Sequence, residues 1–395
     1  MNNILNQNLK LKGKKVVLRV DLNVPMKNGA ITETSRIKKI LPTIKFLIEK
    51  EAKIIILSHI GRPKGKIVKG MTLDPISKKL SDLLNKKIIF NKNIINKNTF
   101  SEINNLSNGS IMMLENIRFN EGEETNDKEF SKKISGLGDI FINDAFSCSH
   151  RAHASIEGIT KYIPSYFGLQ ITEEINALKK ITSEIKKPVS CILGGSKIST
   201  KINIISNLIK KLDNIIIVGG MANTILKEKG LNIGKSINED GCKKIVNEIF
   251  KNVNKYNCKI ICPLDVIVSK NIDSSGKNKL ISEIENDDII LDIGKNTIST
   301  IESIISNSNT ILWNGPAGYF ENPLFENGTK QIAKIISTKT KQDNIFSVVG
   351  GGDTVAAINK FNLFDSFTFV STAGGAFLEF LEGKNLPGIN AISSK

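Results

Sequence analysis

The chain has 395 residues, 40% of them hydrophobic, and a formal net charge of +16. That length and apolar content suit two or perhaps three domains with sizeable cores, and no apolar run is long enough to span a bilayer. The charge favours anionic partners, but the lysines are spread along the chain with only four Tyr and one Trp, which argues against a dedicated nucleic-acid surface.

The N-terminus lacks an apolar core of signal-peptide length. Cys148, Cys191, Cys242, Cys258 and Cys262 are odd in number and form no Cys-x-x-Cys. They read as buried, reduced thiols of a cytosolic protein. Neither a His-x-x-x-His nor a Cys cluster is present, so a zinc site is not expected.

In chain order, Lys15 to Pro25 begins as an apolar strand and ends in Asp21, Asn23 and Pro25. Asp21 and Asn23 alternate to one side, toward a ligand beyond the strand end or into a turn. From Thr34 a helical period follows, with Ile37, Ile40, Leu41, Ile44, Leu47 and Ile48 as one stripe. Thr34 or Ser35 suits its cap, and Pro42 predicts a kink or a first turn. Arg36 falls in the first turn, where its charge opposes the helix dipole and hints at an anion.

Three further strands lead into polar loops. Lys53–Leu57 precedes His59 and Arg62, Ile111–Leu114 precedes Arg118, and Asp139–Asn143 precedes His150, Arg151 and His153. This rhythm of short strand, loop and helix describes a parallel α/β sheet, whose ligands sit beyond the carboxyl ends of the strands. Arg36, Arg62, Arg118, Arg151 and His59 then form a basic cup for a small polyanion. A helix from Ile171 to Ile181 has Ile171, Ile175, Leu178 and Ile181 on one face and Glu173, Glu174, Lys179 and Lys180 on the other. Lying between Pro164 and Pro188, it reads as a domain connector.

The second half repeats the rhythm, and nearly every strand ends in glycine. Gly194-Gly195 precedes Lys197 and Lys201, one helical turn apart and able to face one phosphate chain. Further strands lead to Gly219-Gly220, to Gly294, to Asn314 through Glu321, to Gly350-Gly351-Gly352-Asp353-Thr354, and to Gly374-Gly375. A strand, three glycines and a helix start present bare backbone N–H groups to a phosphate. Asp353 suits either a helix cap or a Mg²⁺ that bridges phosphate oxygens. No Gly-x-Gly-x-x-Gly follows any strand, which disfavours an NAD-linked oxidoreductase, the main alternative beside a basic nucleic-acid-binding protein.

From Lys15 to Gly388 this ordered set of motifs resembles the phosphoglycerate kinase family. Lys15 to Pro25 matches the family signature, and Ser58 to Pro63, Ala145 to Ser155 and Trp313 to Glu321 match in order. The resemblance implies two Rossmann-like α/β domains, each a parallel sheet flanked by helices. Expected bounds are 1–168 for a phosphoglycerate domain, 169–187 for a connector helix and hinge, 188–376 for a nucleotide domain, and 377–395 for a segment packing back toward the first domain. It implies reversible, Mg²⁺-dependent phosphoryl transfer between 1,3-bisphosphoglycerate and ADP after domain closure, in a cytoplasmic monomer with no nucleic-acid or membrane partner.

By the same resemblance Asp21, Asn23, Arg36, His59, Arg62, Arg118 and Arg151 hold phosphoglycerate. Lys197, Lys201, Gly219, Gly220, Gly294, Asn314, Glu321 and Gly350 to Thr354 hold the nucleotide, with Asp353 on the metal. Arg36, Lys197, Gly374 and Gly375 surround the phosphoryl group. Ser147-Cys148-Ser149, Ala373 and Lys295 depart from the usual Gly-Thr-Ala, Gly and Pro. The acceptor oxygen is already deprotonated at neutral pH, so no general base is required, and His150-Arg151-Ala152 is not a protein-kinase catalytic loop.

Overall fold

The structure is a computed structural model that describes residues 2–5, 9–27 and 29–394. These fall into two compact units: the chain through Asn176 together with Asn385 onward, and Ala177–Lys384.

The strands of the first unit are β1 (Lys15–Val20), β2 (Met26–Lys27), β3 (Ala30–Ile31), β4 (Lys53–Leu57), β5 (Ile88–Asn91), β6 (Ile111–Leu114), β7 (Ile140–Asp144) and β8 (Ser165–Phe167). β2 and β3 form a small antiparallel pair. The other six make one parallel sheet in the order β5-β6-β4-β1-β7-β8. Val16, Val17, Leu18 and Val20 are all buried. Such a mostly apolar strand, here interrupted only by the buried Arg19, is what a sheet covered on both faces demands. β1 lies between β4 and β7, in parallel register with both. The loops that follow these three strands therefore open at one edge, where the strand order reverses and ligands bind.

The helix Ser35–Glu49 buries Ile37, Ile40, Ile44 and Leu47 as its period requires. Neither Thr34 nor Ser35 caps it with a side chain, contrary to the sequence reading. Glu33 does so instead, accepting from the Ser35 N–H. Pro42 lies in the interior of the helix, past its first turn, and the helix runs on through it.

The second unit contains β9 (Val189–Leu193), β10 (Asn214–Ile217), β11 (Lys259–Ile261), β12 (Asp265–Ser269), β13 (Lys277–Leu280), β14 (Ile289–Ile293), β15 (Thr310–Asn314), β16 (Phe346–Gly350) and β17 (Phe369–Ser371). Its main sheet is again parallel, in the order β11-β10-β9-β15-β16-β17. The sequence reading placed Ile289–Ile293 in that repeat. It belongs instead to a separate antiparallel sheet, β13-β12-β14. The segments joining these three strands are too short for the crossover that parallel pairing needs.

The helix Leu169–Thr182 crosses the boundary between the units, which falls between Asn176 and Ala177. Ile171, Ile175, Leu178 and Ile181 are buried as expected, but so is Glu174, which the sequence pattern put on the outer face. The last helix, Pro387–Ser393, belongs to the first unit. There the Gly388 N–H donates to the Ser149 carbonyl at 2.9 Å. Four of the five cysteines are buried and none is paired. Among the described residues no helix is long and apolar enough to cross a membrane.

Candidate functional sites

In the first unit the site begins where β1 ends. The Asp21 carboxylate accepts from Arg36 at 3.0 Å, from the Asn23 N–H at 2.9 Å, and from the Ser147 hydroxyl. Arg36 also donates to the Asn23 carbonyl at 2.9 Å. The Asn23 side chain accepts from the Gly61 N–H at 3.0 Å, tying the loop after β1 to the loop after β4. Arg118 donates to the Gly61 carbonyl at 2.8 Å and meets Glu124 at 3.4 Å. Arg151 is half-buried beside His150, at 3.2 Å. Arg62 stands exposed next to Gly61.

Below these groups lies a network that the sequence reading missed. Arg19 of β1 is fully buried. It donates to Ser155 at 2.8 Å and faces His59 Nδ1 at 3.3 Å. Ser155 passes the contact on, donating to the fully buried Glu123 at 2.6 Å. A buried guanidinium without partners is very costly, so these bonds are what make Arg19 tenable. A guanidinium can only donate, so His59 Nδ1 accepts and its proton sits on Nε2. Burial, then Arg19 and Arg118, hold His59 well below the usual histidine range. Burial and the same cations push His153 down to about 3. Both imidazoles are neutral at physiological pH, while Arg118 is pressed down by burial and by Arg19 and Arg151. Cationic charge is thus crowded around the two imidazoles.

In the second unit two adjoining cavities open at the carboxyl ends of β9, β10, β15 and β16. The larger holds about 460 Å³ and is mostly apolar, with Ile237, Leu291, Pro316, Ala317 and Tyr319 on its walls and Glu321 beside them. The smaller holds about 250 Å³ and is polar, lined by Lys197, Lys201, Asn314, Gly352, Asp353 and Thr354 among others. Gly195, Ser196 and Asp353 line both.

Backbone packing shapes this floor. A Cβ on Gly315, whose φ is +106°, would stand 2.3 Å from the Gly194 carbonyl group, so two strand ends touch main chain to main chain. Gly351 takes a φ of +99°, turning β16 into the helix Gly352–Lys360. A Cβ on Gly352 would meet nothing, so the missing side chain there leaves the helix start open to the cavity. Asp353 is not the cap of this helix: Gly351 holds that position and no side chain caps it. Asp353 lines both cavities instead. Lys201 donates to Asn314, which donates to the Gly350 carbonyl at 2.6 Å. Burial lowers the pKa of Lys201, against attraction from nearby anions that include Asp353.

Lys197 and Lys201 are not one helical turn apart, since residues 197–201 form turns ahead of the helix Ile202–Leu208. Both still line the smaller cavity. Glu239, unremarked in the sequence, anchors those turns by accepting from the Ser199 N–H at 3.0 Å. Gly219 and Gly220 line the larger cavity, at the start of the helix Gly219–Glu228. Gly294 is not among the residues that line either cavity, though its neighbour Ile293 is, and a Cβ there would meet the Asp265 carboxylate at 2.3 Å. Gly350 is likewise held bare by the Phe377 ring. Gly374, with φ +56° and open space where its Cβ would be, precedes Gly375 at the start of the helix Gly375–Leu381. The departures at Ala373 and Lys295 are accommodated. Ala373 is buried, and the Lys295 N–H, which a proline would lack, donates to Asn278 at 3.2 Å.

A family model for phosphoglycerate kinase matches residues 6–384. The phosphoglycerate kinase of Wolbachia sp. subsp. Drosophila simulans is 45% identical over 391 residues, covering 98% of each chain. That of Dictyoglomus turgidum is 46% identical over 387 residues, covering 98% of this chain and 97% of its own. The structure of phosphoglycerate kinase from Coxiella burnetii superposes with a TM-score of 0.89 at 41% identity, over 98% of both chains.

Proposed function

The chain belongs to the phosphoglycerate kinase family, and from that premise we propose how its two units divide the reaction. It is a phosphotransferase with a carboxyl group as acceptor, moving a phosphoryl group reversibly between 1,3-bisphosphoglycerate and ADP to give 3-phosphoglycerate and ATP. The first unit holds the phosphoglycerate through Asp21, Asn23, Arg36, His59, Arg62, Arg118 and Arg151. The neutral His59 offers its Nε2–H, and the guanidiniums offer charge and paired donors.

In the second unit the nucleoside occupies the larger, apolar cavity and the phosphates the smaller, polar one. Lys197, Lys201 and the open helix start at Gly352 serve the phosphates. The observation that carries this reading is the pairing of an apolar and a phosphate-sized polar cavity that share Asp353. Arg36 from one unit, and Lys197 with Gly374 and Gly375 from the other, are assigned to the phosphoryl group in transit. They contribute orientation and charge stabilisation, and no residue is needed as general base.

One carboxylate beside a phosphate pocket is the donor set Mg²⁺ takes when it binds through substrate phosphates, so Asp353 is the residue that would hold it. When bound, the ion neutralises phosphate charge. Asp353→Ala is expected to weaken MgADP binding far more than binding of metal-free ADP in calorimetric titration. Equal losses in both titrations would remove Asp353 from the metal.

Direct transfer requires the reacting oxygen and phosphorus to come within about 3–3.5 Å, so ligands held on separate units imply a closing motion. The helix Leu169–Thr182 and its flanking loops are its proposed seat. Solution scattering should show a smaller radius of gyration with both ligands than with either alone, and an unchanged curve in active protein would contradict closure. The enzyme is further proposed to act as a cytoplasmic monomer without nucleic-acid or membrane partners, which its dispersed lysines support. The function itself is tested by 3-phosphoglycerate-dependent formation of ADP from MgATP by purified protein. Its absence would overturn the assignment.

A further inference from the structure

Asp292 is a buried carboxyl group in the wall of the larger cavity, and the reaction as derived above gives it no task. It lies on β14, within the antiparallel sheet. Its Oδ1 accepts from the Ile293 N–H at 2.9 Å and its Oδ2 from the Gly328 N–H at 2.5 Å. Gly328 is the second residue of the helix Asn327–Gln342, which has no acidic residue in its first turn and no side-chain cap. The N-cap residue Glu326 turns its carboxylate to Lys330 and Lys360 instead, so Asp292 supplies, from a different element, the side-chain acceptor that the Gly328 N–H needs.

The surrounding chain is cut to fit that carboxylate. A Cβ on Gly328 would stand 2.2 Å from Asp292 Oδ1, and one on Gly318 would stand 2.6 Å from the same oxygen. Gly318 belongs to the loop that carries Pro316, Ala317, Tyr319 and Glu321 to the cavity. Two bonds join this loop to the elements that Asp292 ties together. The Tyr319 N–H donates to the Leu291 carbonyl at 2.8 Å, and the Ala317 N–H to Thr329 at 3.0 Å.

We propose that Asp292 is a positioning residue for the nucleotide: its carboxylate ties β14 to the helix Asn327–Gln342 at Gly328 and packs against Gly318, and so holds the loop Pro316–Glu321, which bonds to both elements, in its binding shape. This rests on the reading of that cavity as the nucleoside site. Only the ionised carboxylate accepts fully from both N–H groups. Burial raises Asp292 to about 7, against the pull of those two bonds. Lowering the pH through about 7 protonates it, loosens one of the bonds, and weakens nucleotide binding.

The charges on neighbouring elements do not account for the shift. Glu326, at the start of the packed helix, pairs with Lys360 at 2.7 Å and with Lys330 at 3.2 Å. Asp265 of β12 is turned to the helix Lys295–Ser306, accepting from the Thr297 N–H at 2.8 Å. Asp288, just before β14, is held by Lys279 at 2.8 Å and Lys270 at 3.0 Å. Lys227, on the helix Gly219–Glu228, pairs with Asp240 at 2.7 Å.

The test is steady-state kinetics and ADP titration of the full chain between pH 6 and 8.5, on wild type, Asp292→Asn, Gly328→Ala and Glu321→Ala. Asp292→Asn should raise the KM for nucleotide about tenfold, the size of one lost charge-assisted hydrogen bond. It should leave kcat and the KM for phosphoglycerate near wild type. The wild-type KM for nucleotide should rise as the pH falls through 7 more steeply than that of Asp292→Asn. Ionisation of ADP itself is common to both and cancels in the difference. Gly328→Ala crowds the carboxylate without removing it and should weaken ADP in the same direction, which keeps the test decisive if Asp292→Asn fails to fold. Unchanged ADP affinity in Asp292→Asn, or failing that in Gly328→Ala, with Glu321→Ala weakened, overturns the role of Asp292 alone. If Glu321→Ala is also unaffected, the nucleoside reading of the cavity falls, and this inference with it.

Discussion

Arg36 shows how a single residue can run against local preference. In the first turn of its helix its charge opposes the dipole, yet there it reaches both the Asp21 carboxylate and the Asn23 carbonyl. A group placed at some cost to its own helix and half-buried at the end of β1 fits a part in stabilising charge in transit. Arg36→Met is therefore expected to lower kcat about a thousandfold, as removal of a transition-state donor does. Arg118→Met, whose guanidinium braces the Gly61 loop, should mainly raise the KM for phosphoglycerate. Near-normal turnover in the Arg36 variant would take it off the transfer path. The grouping of Asp21, Asn23, Arg36 and Arg118 was legible in the sequence because loops that follow neighbouring parallel strands open at one edge of the sheet, and the structure joins these residues there. Arg19, Ser155 and Glu123 were not. Arg19 interrupts a buried strand, and its partner Ser155 is 136 residues away, so nothing local says whether a buried charge there is satisfied.

At the scale of elements, the two parallel sheets were legible for a physical reason. Strands covered on both faces are mostly apolar, and the runs Ile54–Leu57 of β4, Ile111–Leu114 of β6 and Ile215–Ile217 of β10 stand out as unbroken. The antiparallel sheet was not, because β13 reads Lys-Asn-Lys-Leu and is mostly exposed, leaving no hydrophobic signal. Glycines at strand ends were equally visible, but their purposes were not separable in sequence. Gly315 and Gly350 are bare because other atoms fill the space, whereas Gly352 is bare with space to spare. That difference makes a prediction. Gly352→Leu should leave the thermal midpoint near wild type, since no packing is disturbed, while raising the KM for nucleotide about tenfold or more by covering the phosphate-facing N–H groups. Gly315→Ala should instead unfold the protein at lower temperature, because its Cβ meets main chain. A Gly352→Leu enzyme with unaltered nucleotide KM would show that this helix start does not face the phosphates.

For the whole molecule, the dispersed positive charge had suggested an anionic partner without saying which kind. The structure concentrates its buried guanidiniums in one unit and its glycine-lined cavities in the other. A compact, highly charged acid phosphate suits the first, and an elongated ligand with an apolar end suits the second. The central claim is that the two substrates bind on different units. Hydrogen exchange of the full chain with 3-phosphoglycerate alone and with MgADP alone tests it directly. Phosphoglycerate is predicted to slow exchange at the amides around Asn23, Gly61, Arg118 and Arg151. MgADP is predicted to slow it around Gly195, Gly220, Ala317 and Gly352. Protection of the second set by phosphoglycerate alone, or of the first by MgADP alone, would contradict the division of the site between the two units.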